Sequence, residues 1–214
     1  SELSCYAVVI ASGMEVRRLE VPGLEALVGA GVYYGSALSE AALYRDRDLV
    51  IVGGANSAGQ GALFFSRHAR TVTMLVRRAD LRDGMSQYLV DRINETANVI
   101  VRPSTVVTAV HGNGRLESLT VRDTGTGDLE TVPAAAMFIF IGAAPRTAMV
   151  ADLVERDPQG FILTGRDLMA GSRRPAGWTA ERDPFLFETS VPGVFAAGDS
   201  RHGSGKRVAA AVGE

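Results

Sequence analysis

The chain has 214 residues, 46% of them hydrophobic and 21% charged, with a formal net charge of −2. That is enough for one or two domains around a sizeable core, and no apolar run approaches the roughly 18 residues of a membrane span. The near-neutral balance excludes the basic footprint of a nucleic-acid binder; of the 22 basic side chains 21 are arginine and one, Lys206, is lysine, which reads as a bias of composition.

Ser1-Glu2-Leu3 lacks a basic start, and the apolar stretch 6–10 is too short for a signal peptide. Cys5 is the single cysteine, which excludes internal disulfides and cysteine-rich metal sites; it fits a reducing cytoplasm and a buried place in a strand. Residues 6–10 read as that strand, stopping at Ala11-Ser12-Gly13-Met14. Val21-Pro22-Gly23 is a turn, 24–30 a short helical segment, and Gly31-Val32-Tyr33-Tyr34-Gly35 a connector. Residues 39–45 are expected to form a helix capped by Ser39.

The chain is organised around residues 49–82. Leu49-Val50-Ile51-Val52 is a short apolar strand broken by Gly53 and Gly54, and Ala55, Asn56, Ser57 and Ala58 lead into helical spacing that ends near His68. Such a strand, glycine turn and helix let a phosphate approach backbone N–H groups at a helix start. The fingerprint is imperfect, with Ala55 where a second glycine is usual, and by itself it also suits a plain tight turn. The following strand, 71–76, ends in Arg77 and Arg78 with Arg82 beyond, roughly 20 to 25 residues past the turn, where an acid would take the ribose hydroxyls of NAD. Arginines there suit the 2′-phosphate of NADPH, the alternative being a solvated basic surface.

Residues 84–97 carry Met85, Tyr88, Leu89 and Ile93 at helical intervals, and Val99-Ile100-Val101 reads as a parallel strand buried on both faces. From Ser104 the period becomes two: 105–111, 116–123 and 129–132, joined by Asn113-Gly114 and Thr124-Gly125-Thr126-Gly127, make a three-stranded antiparallel meander. Residues 137–141 form a core strand ending at Gly142, and 165–184 form a long surface loop in which Trp178 is an anchor. Residues 194–197 are a last short strand with Gly198 and Asp199 at its carboxyl end, and 208–212 open a helix. His68, His111 and His202 read as structural or exposed, and no residue is singled out as an acid, a base or a metal ligand.

Together these landmarks resemble the thioredoxin reductase family of low-molecular-weight flavoproteins, in which an NADPH domain is inserted into an FAD domain, and the resemblance covers nearly the whole chain. Ile10-Ala11-Ser12-Gly13 is similar to the family's A-T-G signature, Gly53 to Ala58 to its G-G-G-x-S-A turn, and Arg77, Arg78 and Arg82 to its R-R-x-x-x-R. Phe140-Ile141-Gly142-Ala143-Ala144-Pro145-Arg146-Thr147 is similar to F-I-G-x-x-P-N-T, and the run from Thr189 to Asp199 to T-S-x-P-G-V-F-A-A-G-D. The resemblance implies an α/β fold, with a Rossmann-like NADPH domain at 31–137 and parts of an FAD domain at 1–30 and 138–214. It also implies that Asp199 hydrogen-bonds the FAD ribityl chain, that Gly142 and Gly198 belong to the cofactor sites, and that the backbone of Arg207, Val208 and Ala209 faces the flavin pyrimidine.

The chain departs from the family in two ways. The redox-active C-x-x-C falls at positions 35 and 38, which hold Gly35 and Leu38, so no dithiol passes electrons inward. The FAD domain's own opening Rossmann unit does not precede Ser1, so a C-terminal fragment of a cytoplasmic, homodimeric parent is expected. In it NADPH would reduce flavin, and flavin an unidentified external acceptor. The alternatives are a ferredoxin or flavodoxin reductase of the same family, or a non-enzymatic NADPH-binding regulatory module.

Overall fold

The computed structural model describes residues 4–35, 43–169 and 173–214. In chain order the strands begin with β1 (Val8–Ile10), β2 (Met14–Val16), β3 (Val32–Tyr34) and β4 (Asp48–Val52), followed by helix α1 (Asn56–Phe65) and β5 (Thr71–Leu75). Helix α2 (Gln87–Asn94) leads to β6 (Val99–Arg102), β7 (Thr105–His111), β8 (Ser118–Asp123), β9 (Leu129–Pro133) and β10 (Ala136–Ile139). The chain closes with β11 (Ala143–Pro145), β12 (Val194–Ala196) and helix α3 (Val208–Gly213). These elements form two units, one of Ser1–Arg17 with Gly142–Glu214 and the other of Arg18–Ile141.

The Arg18–Ile141 unit is built on a five-stranded parallel sheet in the order β3-β10-β4-β5-β6. Alternation along each strand sends successive side chains to opposite faces. Leu49, Ile51, Val72, Met74 and Phe138 pack under α1 and α2 against Phe65, Leu89, Val90 and Ile93, with the Phe65 and Phe138 rings stacked 4.1 Å apart. Val50, Val52, Leu75, Met137 and Ile139 turn the other way, onto Val107, Val110, Leu119 and Val121 of the antiparallel meander β7-β8-β9. Both faces of the central strands are therefore covered, and each large side chain taken fully out of water contributes about 1.5–3 kcal/mol.

The other unit carries two small sheets. β1 pairs in parallel with β12, with Ile10 opposite Ala196, and β11 pairs antiparallel with β2. A small core of Ile10, Val154, Ile162 and Ala196 lies beside the first pair.

Several expectations are corrected. The connector 31–35 is strand β3, paired to β10, because Val32 is fully buried in the sheet. The apolar run 99–101 is the sheet edge, so Ile100 is half exposed where burial on both faces was expected. Cys5 is exposed and lies outside any strand. Helix α1 ends at Phe65, leaving His68 in the following turn, and the segment 24–30 contains only a 3-10 turn, Glu25–Leu27. The helix expected over 84–97 is shorter and turns Val90 inward, while Tyr88 is exposed. The compact units divide after Arg17 and after Ile141; Leu24 and Leu27 pack into the same core as Val32 of β3, and β10 runs on to Ile139. The helix expected over 39–45, with its Ser39 cap, begins outside the described residues; Leu43 to Arg45 are in a turn.

Candidate functional site

The glycine turn lies at the carboxyl end of β4, in the middle of a parallel sheet, the position where open α/β sheets receive ligands. Its two glycines are there for different reasons. Gly53 has φ +143°, and a Cβ on it would stand 2.5 Å from the Phe140 carbonyl oxygen. Gly54 has no unusual φ, but a Cβ on it would meet Val76 Cγ1 at 2.7 Å. Ala55 is exposed with ordinary extended backbone (φ −105°, ψ 178°) and caps α1 without a side-chain hydrogen bond. The first-turn N–H groups of this ten-residue helix are therefore not taken up by a cap. Asn56 and Ser57 are exposed in that turn, and Ala58 is fully buried against the sheet.

The loop after β5 closes the other side. Asn56 Oδ1 accepts the Ser86 N–H at 2.8 Å, fastening the loop to the start of α1. Arg78 donates to the Asp83 carbonyl, and Arg82 is engaged by Asp80, whose Oδ1 accepts the Arg82 backbone N–H at 2.8 Å and whose carboxylate lies 3.2 Å from the Arg82 guanidinium. The Arg82 N–H and guanidinium hold the Asp80 carboxyl below the usual carboxylate range. Arg77 is exposed and has no hydrogen bond or ion pair among the described residues. The three arginines thus belong to one loop beside the turn, but only Arg77 is unengaged. The clamp role of Asn56 and the part played by Asp80 were not foreseen; the D-x-R spacing of a turn cap was their one local signal.

In the other unit, the predicted Gly198 and Asp199 lie just past the carboxyl end of β12, in a 3-10 turn, Gly198–Ser200. Asp199 Oδ1 is buried without a hydrogen-bond partner among the described residues, and so is Ser12 Oγ, just past the end of the neighbouring parallel strand β1. An unpartnered buried oxygen costs about 1–3 kcal/mol, so two of them at adjacent strand ends suit a ligand that presents hydroxyl donors. Lys206 braces this loop: its ammonium donates to the carbonyls of Asp199 (2.9 Å) and Arg201 (2.7 Å) and lies 3.9 Å over the Phe161 ring. Burial lowers its pKa. Gly198 N–H donates to Glu214 Oε2 at 2.7 Å, and Arg201 holds the Glu214 carboxyl below its ordinary range. Arg207 caps the six-residue helix α3, and it, Val208 and Ala209 are exposed. Gly142 is exposed with φ +89°, which serves a turn and no close approach.

The remaining candidates have structural partners. His111 is hydrogen-bonded to Thr120 and His202 to Asp157, Trp178 donates to the Arg182 carbonyl at 2.7 Å, and no metal-ligand cluster occurs among the described residues. Glu188 is fully buried and receives Arg182 at 2.6 and 2.8 Å and the N–H groups of Phe185 and Gly193, which push its pKa down to about 2.

Residues 1–214 match the family model described as pyridine nucleotide-disulphide oxidoreductase. The chain is 34% identical over 194 residues to the thioredoxin reductase of Mycolicibacterium smegmatis, covering 90% of this chain and 55% of that one. It is 34% identical over 193 residues to the bifunctional thioredoxin reductase/thioredoxin of Mycobacterium leprae, covering 90% and 38%. The crystal structures of the thioredoxin reductases of Lactococcus lactis (FR conformation) and T. acidophilum each superpose with a TM-score of 0.74 at 26% identity, over 97% of this chain and 61% of theirs. The chain spans about half the length of the curated relatives it matches.

Proposed function

The chain belongs to the pyridine nucleotide-disulphide oxidoreductase family, with thioredoxin reductase-like character, and on that premise we propose that it serves an NADPH- and FAD-dependent oxidoreductase that delivers electrons to an external acceptor without a dithiol at the family's positions. The observation that carries the reading is the pair of buried, unpartnered oxygens, Ser12 Oγ and Asp199 Oδ1, at the carboxyl ends of adjacent parallel strands. They suit the hydroxyls of a ribityl chain, and a module that only sensed NADPH would have no use for them. Positions 35 and 38 hold glycine and leucine, so the acceptor must take its electrons from the flavin itself.

On this reading the Arg18–Ile141 unit binds NADPH and the other unit belongs to the FAD domain. Gly53 and Gly54 let the backbone lie close to the pyrophosphate, and the N–H groups at the start of α1 stabilise its charge. Arg77, Arg78 and Arg82 face the 2′-phosphate. Asp199 and Ser12 accept from and orient the ribityl hydroxyls, Lys206 holds the Asp199 loop in place, and the backbone of Arg207, Val208 and Ala209 faces the pyrimidine end. FAD, when bound, supplies two-electron acceptor chemistry toward NADPH, and no side chain of this chain is assigned a proton transfer.

The test is flavin binding by the full-length parent protein, followed by anaerobic titration with NADPH. The flavin is expected to bleach with one equivalent of NADPH while no thiol appears beyond those of the oxidised protein, the exposed Cys5 among them, and Asp199→Ala and Ser12→Ala are each expected to weaken flavin binding about threefold to thirtyfold. Undiminished flavin binding in both variants would sink the assignment.

A further inference from the structure

We propose that Asp80 is a specificity-determining residue of the glycine-turn site, opposing the phosphate-binding arginines so that the chain discriminates only weakly, less than about tenfold, between NADPH and NADH. The inference rests on the assignment of Arg77, Arg78 and Arg82 to the 2′-phosphate made above.

The loop reads Arg77-Arg78-Ala79-Asp80-Leu81-Arg82-Asp83, so its three arginines are offset by two aspartates. Asp80 engages Arg82 twice, through the backbone N–H at 2.8 Å and the guanidinium at 3.2 Å. Arg78 is turned onto the Asp83 carbonyl. A dianionic phosphate arriving beside this loop must share the Arg82 guanidinium with Asp80, which holds its Nε, and meet the Asp80 charge as well. NADH meets neither penalty, since its ribose hydroxyls donate to a carboxylate and do not repel it, and an acid near this point of a nucleotide fold is the usual partner of those hydroxyls. The side chains of Arg82 and Asp80 are 68% and 44% exposed, so solvent and salt screen the effect and hold it to about threefold to tenfold in affinity.

Asp80→Asn separates charge from architecture, because the amide oxygen still accepts the Arg82 N–H and keeps the turn capped while the ion pair is lost. Calorimetric titration of the full chain with NADP+ and with NAD+, at low and at physiological salt, reads both affinities without turnover. Expected are a threefold to tenfold tighter NADP+, an NAD+ affinity unchanged or weaker, a gain that shrinks with salt, an unchanged thermal midpoint, and loss of the gain when Arg82→Ala is added. Equal changes for the two cofactors would reduce Asp80 to a turn cap and overturn the inference. A wild-type preference for NADP+ above about tenfold would overturn it too, while supporting the arginine assignment on which it rests. Binding of neither cofactor would overturn that assignment and the inference with it.

Discussion

Gly54→Ala asks whether the second glycine of the turn exists for a ligand or for packing. The added Cβ would stand 2.7 Å from Val76 Cγ1. Val76 cannot yield easily, because it is 1% exposed, its N–H donates to the Arg102 carbonyl and its own carbonyl accepts the Thr105 N–H, both at 3.0 Å. A β-branched side chain has little rotamer freedom with which to relieve the clash. Overpacking of this kind costs about 1–3 kcal/mol. Val76→Ala alone removes two methyl groups from a buried position and should cost about 1.5–3 kcal/mol with its cavity. In the double variant the new methyl fills the space that the old ones leave, so the costs should fall short of their sum by about 1–2 kcal/mol. Urea denaturation of the four proteins measures that coupling, and NADP+ titration shows whether the repaired turn binds again. Additivity within about 0.5 kcal/mol would refute the packing account of Gly54. Gly53→Ala is the control that no side-chain deletion should rescue, since its φ is +143° and its clash, at 2.5 Å, is with the Phe140 backbone oxygen.

Arg77→Ala combined with Arg78→Ala should weaken NADP+ about threefold to thirtyfold and leave NAD+ nearly unchanged, by the same titration. Ala55→Gly should tighten both cofactors alike if, as proposed, the pyrophosphate they share lies against this turn. Asn56→Ala frees the Ser86 N–H from its acceptor and should cost about 0.5–1.5 kcal/mol in urea while weakening both cofactors. Arg182→Ala leaves the buried Glu188 carboxylate with only its two backbone donors; with Arg182 itself 41% exposed, a loss of about 1–3 kcal/mol is expected at neutral pH. Because Glu188 titrates near 2 in the folded chain against 4.5 ordinarily, its stabilisation is complete above about pH 4.5 and is lost as the pH falls toward 2. In Arg182→Ala the folded-state value moves back toward 4.5, so that loss should be smaller and end at a higher pH, and identical acid-unfolding curves would rule the pair out as its source.

Elements that carry their own periodicity were legible in the sequence. β4 and β10 are apolar runs because helices cover one face and the meander the other, and β7 and β8 alternate because one side meets water. What could not be read locally was set by partners distant in sequence. Val32-Tyr33-Tyr34 is too short and too closely flanked by glycines to announce a strand, and it becomes one by hydrogen-bonding to β10, about a hundred residues later. Ile100 sits in a run as apolar as β4, yet no strand follows β6 in the sheet, so its side chain is half exposed. Nothing within 99–101 encodes an edge, since that is a property of strand order and not of a strand.

The site divides along the same line. The turn and the arginines stand at fixed offsets that a local reading can find, whereas Ser12 Oγ and Asp199 Oδ1, like Thr164 Oγ1 and Ser204 Oγ, are marked out as unpartnered only after folding. The slot pattern of the glycine fingerprint also misplaces the demand: Ala55 occupies the position where a second glycine is usual, but its extended backbone suits any residue, and the close approach falls one residue earlier, at Gly54 against Val76. An alanine at 55 is therefore neutral for the fold, and any cost it carries must appear in ligand affinity. Ala55→Gly and Gly54→Ala should then move different observables, the first binding without stability and the second stability first, with binding following only as the turn is displaced.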